Sequence, residues 1–398
     1  MLNLRKYIIL TALVILPTIG QATTNGLKFF YRIGEHVDRY LLNGIDTNYI
    51  TLPEHSWRVA LTGTTDGINS YYRTTDQLTG NKIALLTRAT PSLDLGFYAG
   101  YRGLGFGYSW DVLHSYDNNL QFSLGSKFIG IEFQRQVSTN LHGKVFNPDQ
   151  PKVTLADFPG GLLRIKNINL TAWYALNSKH YSHNAAIKQS YIQKRTAGSL
   201  LLSLSYLSTT MSVKDELDYI EKHEHFLVDS VTRIVTHQIA IGLGYGINYT
   251  PNKGKVILHF AANVQLVCYS INQLSFALTD TLTHQLRAQP MFNITPKYPV
   301  HVTGNLRAAV SWEINRWVHL SLWAKAANIR FRSHQGELAD IRMRNWNWQV
   351  HLNIGVRLGA GKKRVREALV DEPLPPIRPA RPSKLPQWIT DFFYSPRF

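Results

Sequence analysis

Residues 93–112 read Leu93-Asp94-Leu95-Gly96-Phe97-Tyr98-Ala99-Gly100-Tyr101-Arg102-Gly103-Leu104-Gly105-Phe106-Gly107-Tyr108-Ser109-Trp110-Asp111-Val112. Leu93, Leu95, Phe97, Ala99 and Tyr101 take every second place. After a tight turn at Arg102-Gly103 the alternation resumes with Leu104, Phe106, Tyr108, Trp110 and Val112, with Gly105, Gly107, Ser109 and Asp111 between them. Successive side chains of a strand point to opposite faces, so this is a hairpin with one apolar, aromatic face and one small, polar face. A soluble sheet alternates too, but seldom sets aromatics against glycines. Apolar outside and polar inside is the pattern of a barrel in lipid.

The pattern extends along the chain. Trp57, Val59 and Leu61 open a first strand, and Ile83 to Tyr101 reads as one descending strand with Pro91 at a bulge or break. Further strands fall at 120–124, 129–133, 168–176, 200–206, 239–249, 256–268, 300–314, 318–326 and 346–358. Together they predict an all-β fold, an antiparallel transmembrane β-barrel of about 12 strands. Single-chain bacterial barrels have even strand numbers and both termini on one side, which favours reading 83–101 as one strand. Short turns at Arg102-Gly103, Ser126-Lys127, 250–254 and Asn315-Arg316 alternate with longer connections at 65–81, 113–118, 138–163, 209–234, 269–299 and 332–344. That is the asymmetry of short periplasmic turns and long extracellular loops. Asn177 to Gln193 is the exception, a long connection expected on the periplasmic side.

The ends differ from the middle. Arg5 and Lys6 precede the apolar stretch Tyr7–Leu16 and the small-residue site Gly20-Gln21-Ala22, which predicts a signal peptide over 1–22. Residues 23–56 form a lead-in with a short periplasmic helix, marked by Phe29, Phe30, Ile33, Val37, Tyr40 and Leu41 at helical spacing. The barrel spans 57–358. Residues 359–398 are a basic, Pro-rich tail that ends in Trp388, Phe392, Phe393, Tyr394 and Phe398. The tail is expected either to extend freely in the periplasm or to dock its aromatic end on an envelope partner or in the barrel mouth. Cys268 is the only cysteine, so no disulfide forms within the chain.

Charge is low at 17% of residues, but the net charge is +17. Such a balance would ordinarily point to nucleic acid; export argues against that. The excess instead sorts to the turns, lead-in and tail of the predicted periplasmic side, where a basic rim meets anionic lipid headgroups. The expected partners are therefore outer-membrane lipids, with no nucleic acid.

Asp46-Thr47-Asn48-Tyr49-Ile50, Trp57 and Tyr98-Ala99-Gly100-Tyr101-Arg102-Gly103-Leu104 together resemble the outer-membrane barrel family catalogued as domain of unknown function 4421. Lys179-His180-Tyr181-Ser182, Ala185-Ala186, Gln189-Ser190, Gln193-Lys194-Arg195 and Ala197-Gly198-Ser199 extend the likeness, which covers roughly Asp46 to Leu358. Asn184 stands where the family pattern has proline. The resemblance implies a barrel in the outer membrane of a Gram-negative bacterium and brings no activity or catalytic residue.

Inward positions of the last strands are polar. Alternation along the hairpin 300–326 sets Glu313 against His319 and Arg307 against Lys325. Glu313, His319 and Arg357 can neutralise one another near the periplasmic end. Arg307 opposite Lys325 is destabilising unless an anion intervenes: a carboxylate from across the lumen, Asp94 or Glu132, or a bound anion. Arg307, Lys325, His351, Glu313, His319 and Arg357 are therefore the lumen-facing binding or selectivity candidates. His114-Ser115, Ser182-His183-Asn184 and Ser333-His334 supply nucleophile and base types, but they fall in predicted loops or the periplasmic connection and lack the HxSNG-like pattern of the phospholipase barrel, so no catalytic residue is assigned. His259, His301, His319 and His351 are too dispersed for one metal shell, and no cofactor is expected. The expected function is non-enzymatic passage or binding of small polar, even anionic, solutes. The alternatives are a closed structural or docking barrel binding envelope partners through loops or tail, and, more remotely, a lipid-modifying enzyme.

Overall fold

The structure is a computed structural model describing residues 41, 43–76, 82–113, 118–126, 128–152, 154–213, 230–251, 254–279, 286–288, 292–296, 300–335 and 339–359. The chain divides into two compact units. One, Met1–Gly44 with Gly361–Arg381, lies almost wholly outside the described residues. The other, Ile45–Ala360 with Pro382–Phe398, contains the barrel. The signal peptide, most of the lead-in helix and the tail beyond Gly359 also lie outside the described residues.

The strands are β1 Ile50–Thr51, β2 Trp57–Asp76, β3 Lys82–Ala89, β4 Asp94–Tyr101, β5 Leu104–Asp111, β6 Asn118–Gly125, β7 Ile129–Phe146, β8 Thr154–Ala175, β9 Ile192–Gln193, β10 Ala197–Val213, β11 Ser230–Tyr249, β12 Val256–Thr279, β13 Leu286–Ala288, β14 Phe292–Pro296, β15 His301–Glu313, β16 Val318–Gln335 and β17 Ala339–Leu358. Twelve of them close an antiparallel ring in the order β2, β4, β5, β6, β7, β8, β10, β11, β12, β15, β16, β17. β17 returns to β2 in unbroken register from Leu358↔Trp57 to Ala339↔Asp76, leaving no free edge. The opening hairpin is β4–β5, with Tyr101 opposite Leu104.

The outside carries a belt of exposed apolar side chains, among them Leu204, Ile241, Leu243, Val264, Leu266, Leu306, Val310, Leu322 and Ile354. Trp57, Tyr174, Tyr249, Trp312 and Trp317 border it at the end where the short turns lie. Tyr206, Tyr269 and Trp346 border it at the other. From Trp346 to Leu358 a strand rising ~3.3 Å per residue, tilted by ~40°, covers roughly 30 Å, the thickness of a bilayer's hydrocarbon. Apolar area of this extent and two aromatic girdles belong to a lipid-facing surface.

Most strands run well past the belt at the end away from the turns, and here the sequence expectation needs correcting. The stretches read as loops at 65–81, 138–163, 269–299 and 332–344 are largely strand, as are 209–213 and 230–234, and β2 continues to Asp76. The reason is an inversion of the alternation. Beyond the girdle the outside is water and the inside is packed, so polar residues face out and apolar ones in. In β10 the inward positions change from Ser203 and Ser205 to Leu207 and Met211. In β17 the outward ones change from Ile354 and Leu352 to Arg344. Ile68, Tyr72, Leu141, Leu163, Ile165, Leu207, Met211, Ile234, Leu274, Ile329 and Met343 thus form a buried apolar core across the bore.

Residues 83–101 are two strands, broken around Pro91. Both lie along β2, so the descent crosses the membrane once, as expected. The break lets β3 pair with β7, bypassing β4–β6. β14 similarly takes the place of β15 between β12 and β16. The ring therefore narrows from twelve strands to ten where the core fills it. Among the described residues no helix is long and apolar enough to cross a membrane.

Candidate functional site: a plugged polar chamber

Residues 176–196, joining β8 to β10, turn into the bore and plug it. The connection starts at the end of the short turns, the side the sequence reading gave it, but it folds inside the barrel, which that reading did not specify. Tyr181, Ala185 and Ala186 are fully buried and Tyr191 nearly so, and Asn184–Ile187 make a single helical turn. One signal for this was legible: from Tyr181 to Gln193 the only Lys, Arg, Asp or Glu is Lys188, which is unusual for a solvated connection.

The plug is tied on several sides. Gln189 Nε2 donates to Ser311 Oγ (2.9 Å), with Gln189 itself in the left-handed region at φ 51°. Asn248 Nδ2 donates to Ser182 O (2.8 Å) and to Gln193 Oε1 (3.1 Å). Lys188 Nζ lies 5.8 Å from the ring centres of both Tyr98 and Trp323. The Tyr98 ring also answers what the glycine face of the β4–β5 hairpin is for. A Cβ at Gly105 would stand 2.0 Å from Tyr98 Oη. The glycines make room for the hairpin's own tyrosine, on which the plug lysine rests. Gly246 does the same for the plug, since a Cβ there would meet Tyr181 Oη at 2.1 Å.

From below, the lead-in latches the plug. β1 pairs with β9, Lys194 N donates to Tyr49 O (2.7 Å), and Lys194 Nζ donates to Thr47 O (3.0 Å). The Tyr49 and His180 rings lie 4.4 Å apart. Arg102 of the opening hairpin, at φ 50°, donates from Nη1 to Pro53 O (2.9 Å) and holds the lead-in from the other side.

Between plug and apolar core lies a polar chamber; the space between its atoms, about 1050 Å³, includes a part open to solvent. Leu207 and Ile329 of the core close one end. His183, Trp173, Leu201 and Ala261 close the other, beside the buried Tyr181. The walls present ten carboxamides, among them Gln136, Asn167, Asn263, Gln265 and Asn347, and four hydroxyls, Thr171, Ser203, Ser205 and Ser208. Its charged lining is Glu132, Arg307 and Lys325.

The six candidate residues separate into three places. Arg307 faces Lys325 across β15–β16, both in the chamber. Glu132 reaches Arg307 from across the lumen in a bidentate ion pair, Nη1–Oε1 3.0 Å and Nη2–Oε2 2.8 Å. Of the two carboxylates considered, Glu132 is thus the one on Arg307, while Asp94 lies near Ser109. Lys325 makes no hydrogen bond or ion pair among the described residues. Glu313 faces His319, and Arg357 Nη2 donates to Glu313 Oε1 (2.6 Å) near the turns, away from the chamber. His351 stacks on Trp323 (3.7 Å), with Nδ1 2.7 Å from Thr64 Oγ1. It lines, with His319 and Lys188, a smaller cavity of about 540 Å³ beside the plug. Sequence reasoning did not assign the plug residues Tyr181, His183 and Gln189 to the lumen, because nothing local says which way a connection folds.

His183 sits at the junction of plug and chamber. Arg307 Nη1 lies 3.3 Å from its Nε2 and can only donate, so Nε2 accepts and the proton is on Nδ1, 3.1 Å from Tyr181 Oη. Burial, reinforced by Arg307 and Lys188 and opposed by Glu132, pushes this imidazole down to about 3. Trp173 and His259 pack on its ring. The docked plug therefore favours neutral His183. Its stability is fully present above about 6.5 and falls as the pH drops toward the docked value. Hydrogen exchange over 177–193, corrected for intrinsic rate, is expected to be faster at pH 4.5 than at pH 7.5. The change should be lost in His183→Gln.

Ser182-His183-Asn184, weighed as a nucleophile and base, is buried with both His183 nitrogens engaged by Tyr181 and Arg307. His114-Ser115 lies outside the described residues.

These features define a class: a twelve-stranded transmembrane β-barrel with an internal plug and a polar chamber. The chain belongs to the family described as Domain of unknown function (DUF4421), whose pattern matches residues 44–358. The stretches that carry the resemblance gather around the plug, with 46–50 pairing onto its exit and 98–104 supporting Lys188 and the lead-in. No curated protein matches the sequence. Similar solved structures include the outer membrane protease OmpT from Escherichia coli, 8% identical over 77% of this chain and 98% of that one, with a TM-score of 0.38. The outer membrane protein OprG from Pseudomonas aeruginosa is 10% identical over 77% and 99%, TM-score 0.27. The toluene transporter TodX from Pseudomonas putida is 8% identical over 77% and 91%, TM-score 0.22. At these distances neither substrate nor reaction carries over.

Proposed function

We propose that this protein is a non-enzymatic outer-membrane barrel that binds a small polar solute in its chamber and does not conduct it as an open pore. The turn end, with lead-in and plug, faces the periplasm, and the apolar belt faces outer-membrane lipid. The observation that carries the binding reading is the apolar core across the bore. Eleven buried side chains contributed by strands all round the narrowed ring form a packed interior. Closely packed apolar groups do not part for a hydrated solute without a large cost. The chamber beneath is polar and roomy enough for a compact ligand.

The test is single-channel recording in planar bilayers. No steady conductance is expected from the full chain, nor from a variant lacking the plug latch (Thr47→Pro with Tyr49→Ala), because the core still closes the far end. A stable conductance in the full chain overturns the reading and restores passage.

A further inference from the structure

We propose that the chamber takes a monosaccharide-sized, hydroxyl-rich monocarboxylate, its carboxylate on Lys325 and its hydroxyls on the surrounding carboxamides. This deepens the binding reading above and rests on it. Three observations select the chemistry.

The first is charge. Glu132 and Arg307 satisfy each other in a bidentate pair, so the chamber lining carries one further positive charge, Lys325. An ammonium enclosed in a low-dielectric space without a counter-ion is costly. One negative charge on a ligand balances it, and a neutral sugar does not.

The second is the set of buried groups that lack a protein partner. Gln136 Nε2 and Asn167 Nδ2 are donors left over; Asn263 Oδ1 and Asn347 Oδ1 are acceptors left over. Gln136 is 5% exposed and Asn167 7%, and all four residues line the same chamber. A bare inorganic anion only accepts, and would leave the amide oxygens unserved. A hydroxyl both donates and accepts, so a polyhydroxylated molecule answers both kinds.

The third is Trp173, which lies at the plug end of the chamber with its indole Nε1 also unpartnered. Its ring is packed between Gly130 and His183, so what it offers the chamber is the indole donor, a further group for a ligand hydroxyl. The core and plug bound the length, which restricts the occupant to a compact molecule.

Equilibrium dialysis of the full chain in detergent, taken to constant occupancy, tests this with three probes: D-glucuronate, D-glucose and acetate. Glucuronate is expected to bind at least tenfold more tightly than glucose, which lacks the charge, and than acetate, which lacks the hydroxyls. Lys325→Gln should bring glucuronate to the level of glucose, and Lys325→Arg should keep a preference for glucuronate. Asn347→Leu should weaken both sugars by about tenfold, the loss of a hydrogen bond in a buried site. If glucose binds as tightly as glucuronate, or Lys325→Gln leaves their ratio unchanged, the monocarboxylate assignment falls while a binding chamber stands. If acetate equals glucuronate, the hydroxyl-rich assignment falls. If no probe saturates, the proposal of a hydroxyl-rich monocarboxylate is overturned. The conductance experiment then judges the binding reading separately.

Discussion

Glu132→Ala is expected to be the most damaging single substitution in the lumen, lowering stability by about 3–5 kcal/mol. Glu132 is the carboxylate on Arg307, at 2.8–3.0 Å, and both side chains are largely buried. Removing it leaves Arg307 and Lys325 opposed across β15–β16 with nothing between them, and like charges opposed on neighbouring strands repel. Arg307→Ala is expected to cost clearly less, because Lys325 lines the same chamber and can turn to Glu132. The charge arithmetic thus predicts an asymmetry that a simple count of lost contacts does not. Pairing Glu132→Ala with Lys325→Met should recover part of the loss by removing one of the two stranded cations. Urea unfolding in lipid vesicles, followed by tryptophan emission, measures all three variants against the unaltered chain. Equal losses for Glu132→Ala and Arg307→Ala would sink the account.

Gly246→Val is expected to expel the plug without opening the barrel wall. A Cβ at that position would stand 2.1 Å from Tyr181 Oη and 2.9 Å from Tyr181 Cζ, and Tyr181 is fully buried with no slack around it. Overpacking a tight interior costs ~2–3 kcal/mol, which shifts a docking equilibrium roughly 30- to 150-fold. The strand itself is spared, because β11 keeps its register with β10 and β12 on both sides. Cysteine labelling reads the change. In a Cys268→Ser background, Ala186→Cys is buried in the plug and should react slowly with a maleimide. Adding Gly246→Val should raise the rate by that factor, and Tyr181→Phe should restore part of the protection. An unchanged rate would mean that the plug tolerates the side chain and that Gly246 is not its seat.

Alternation made the barrel legible wherever one face met lipid and the other met polar side chains. The Leu93–Val112 hairpin, the later strands and the count of twelve followed from it, and so did the opposition of Arg307 to Lys325. It failed beyond the lipid, where water outside and a packed core inside reverse its sense. Strands such as Trp57–Asp76 were therefore cut short at Leu61. It left open whether Pro91 marks a bulge or a break, because two strands aligned on the same neighbour leave the same trace as one.

The sequence by itself determined a transmembrane barrel, its lipid-spanning hairpins and the register that sets Arg307 against Lys325, because period-two patterning is a local property of an extended chain. Only the tertiary structure decided what fills the bore. Whether Asn177–Gln193 hangs outside or turns in depends on Gly246 leaving space for Tyr181, on Tyr98 receiving Lys188 and on the lead-in strand pairing from below. The same holds for Glu132, which lies 175 residues from Arg307 in the chain and meets it only when the ring closes. A chamber is made by groups brought together from many strands, and no periodicity along one chain records which of them will meet.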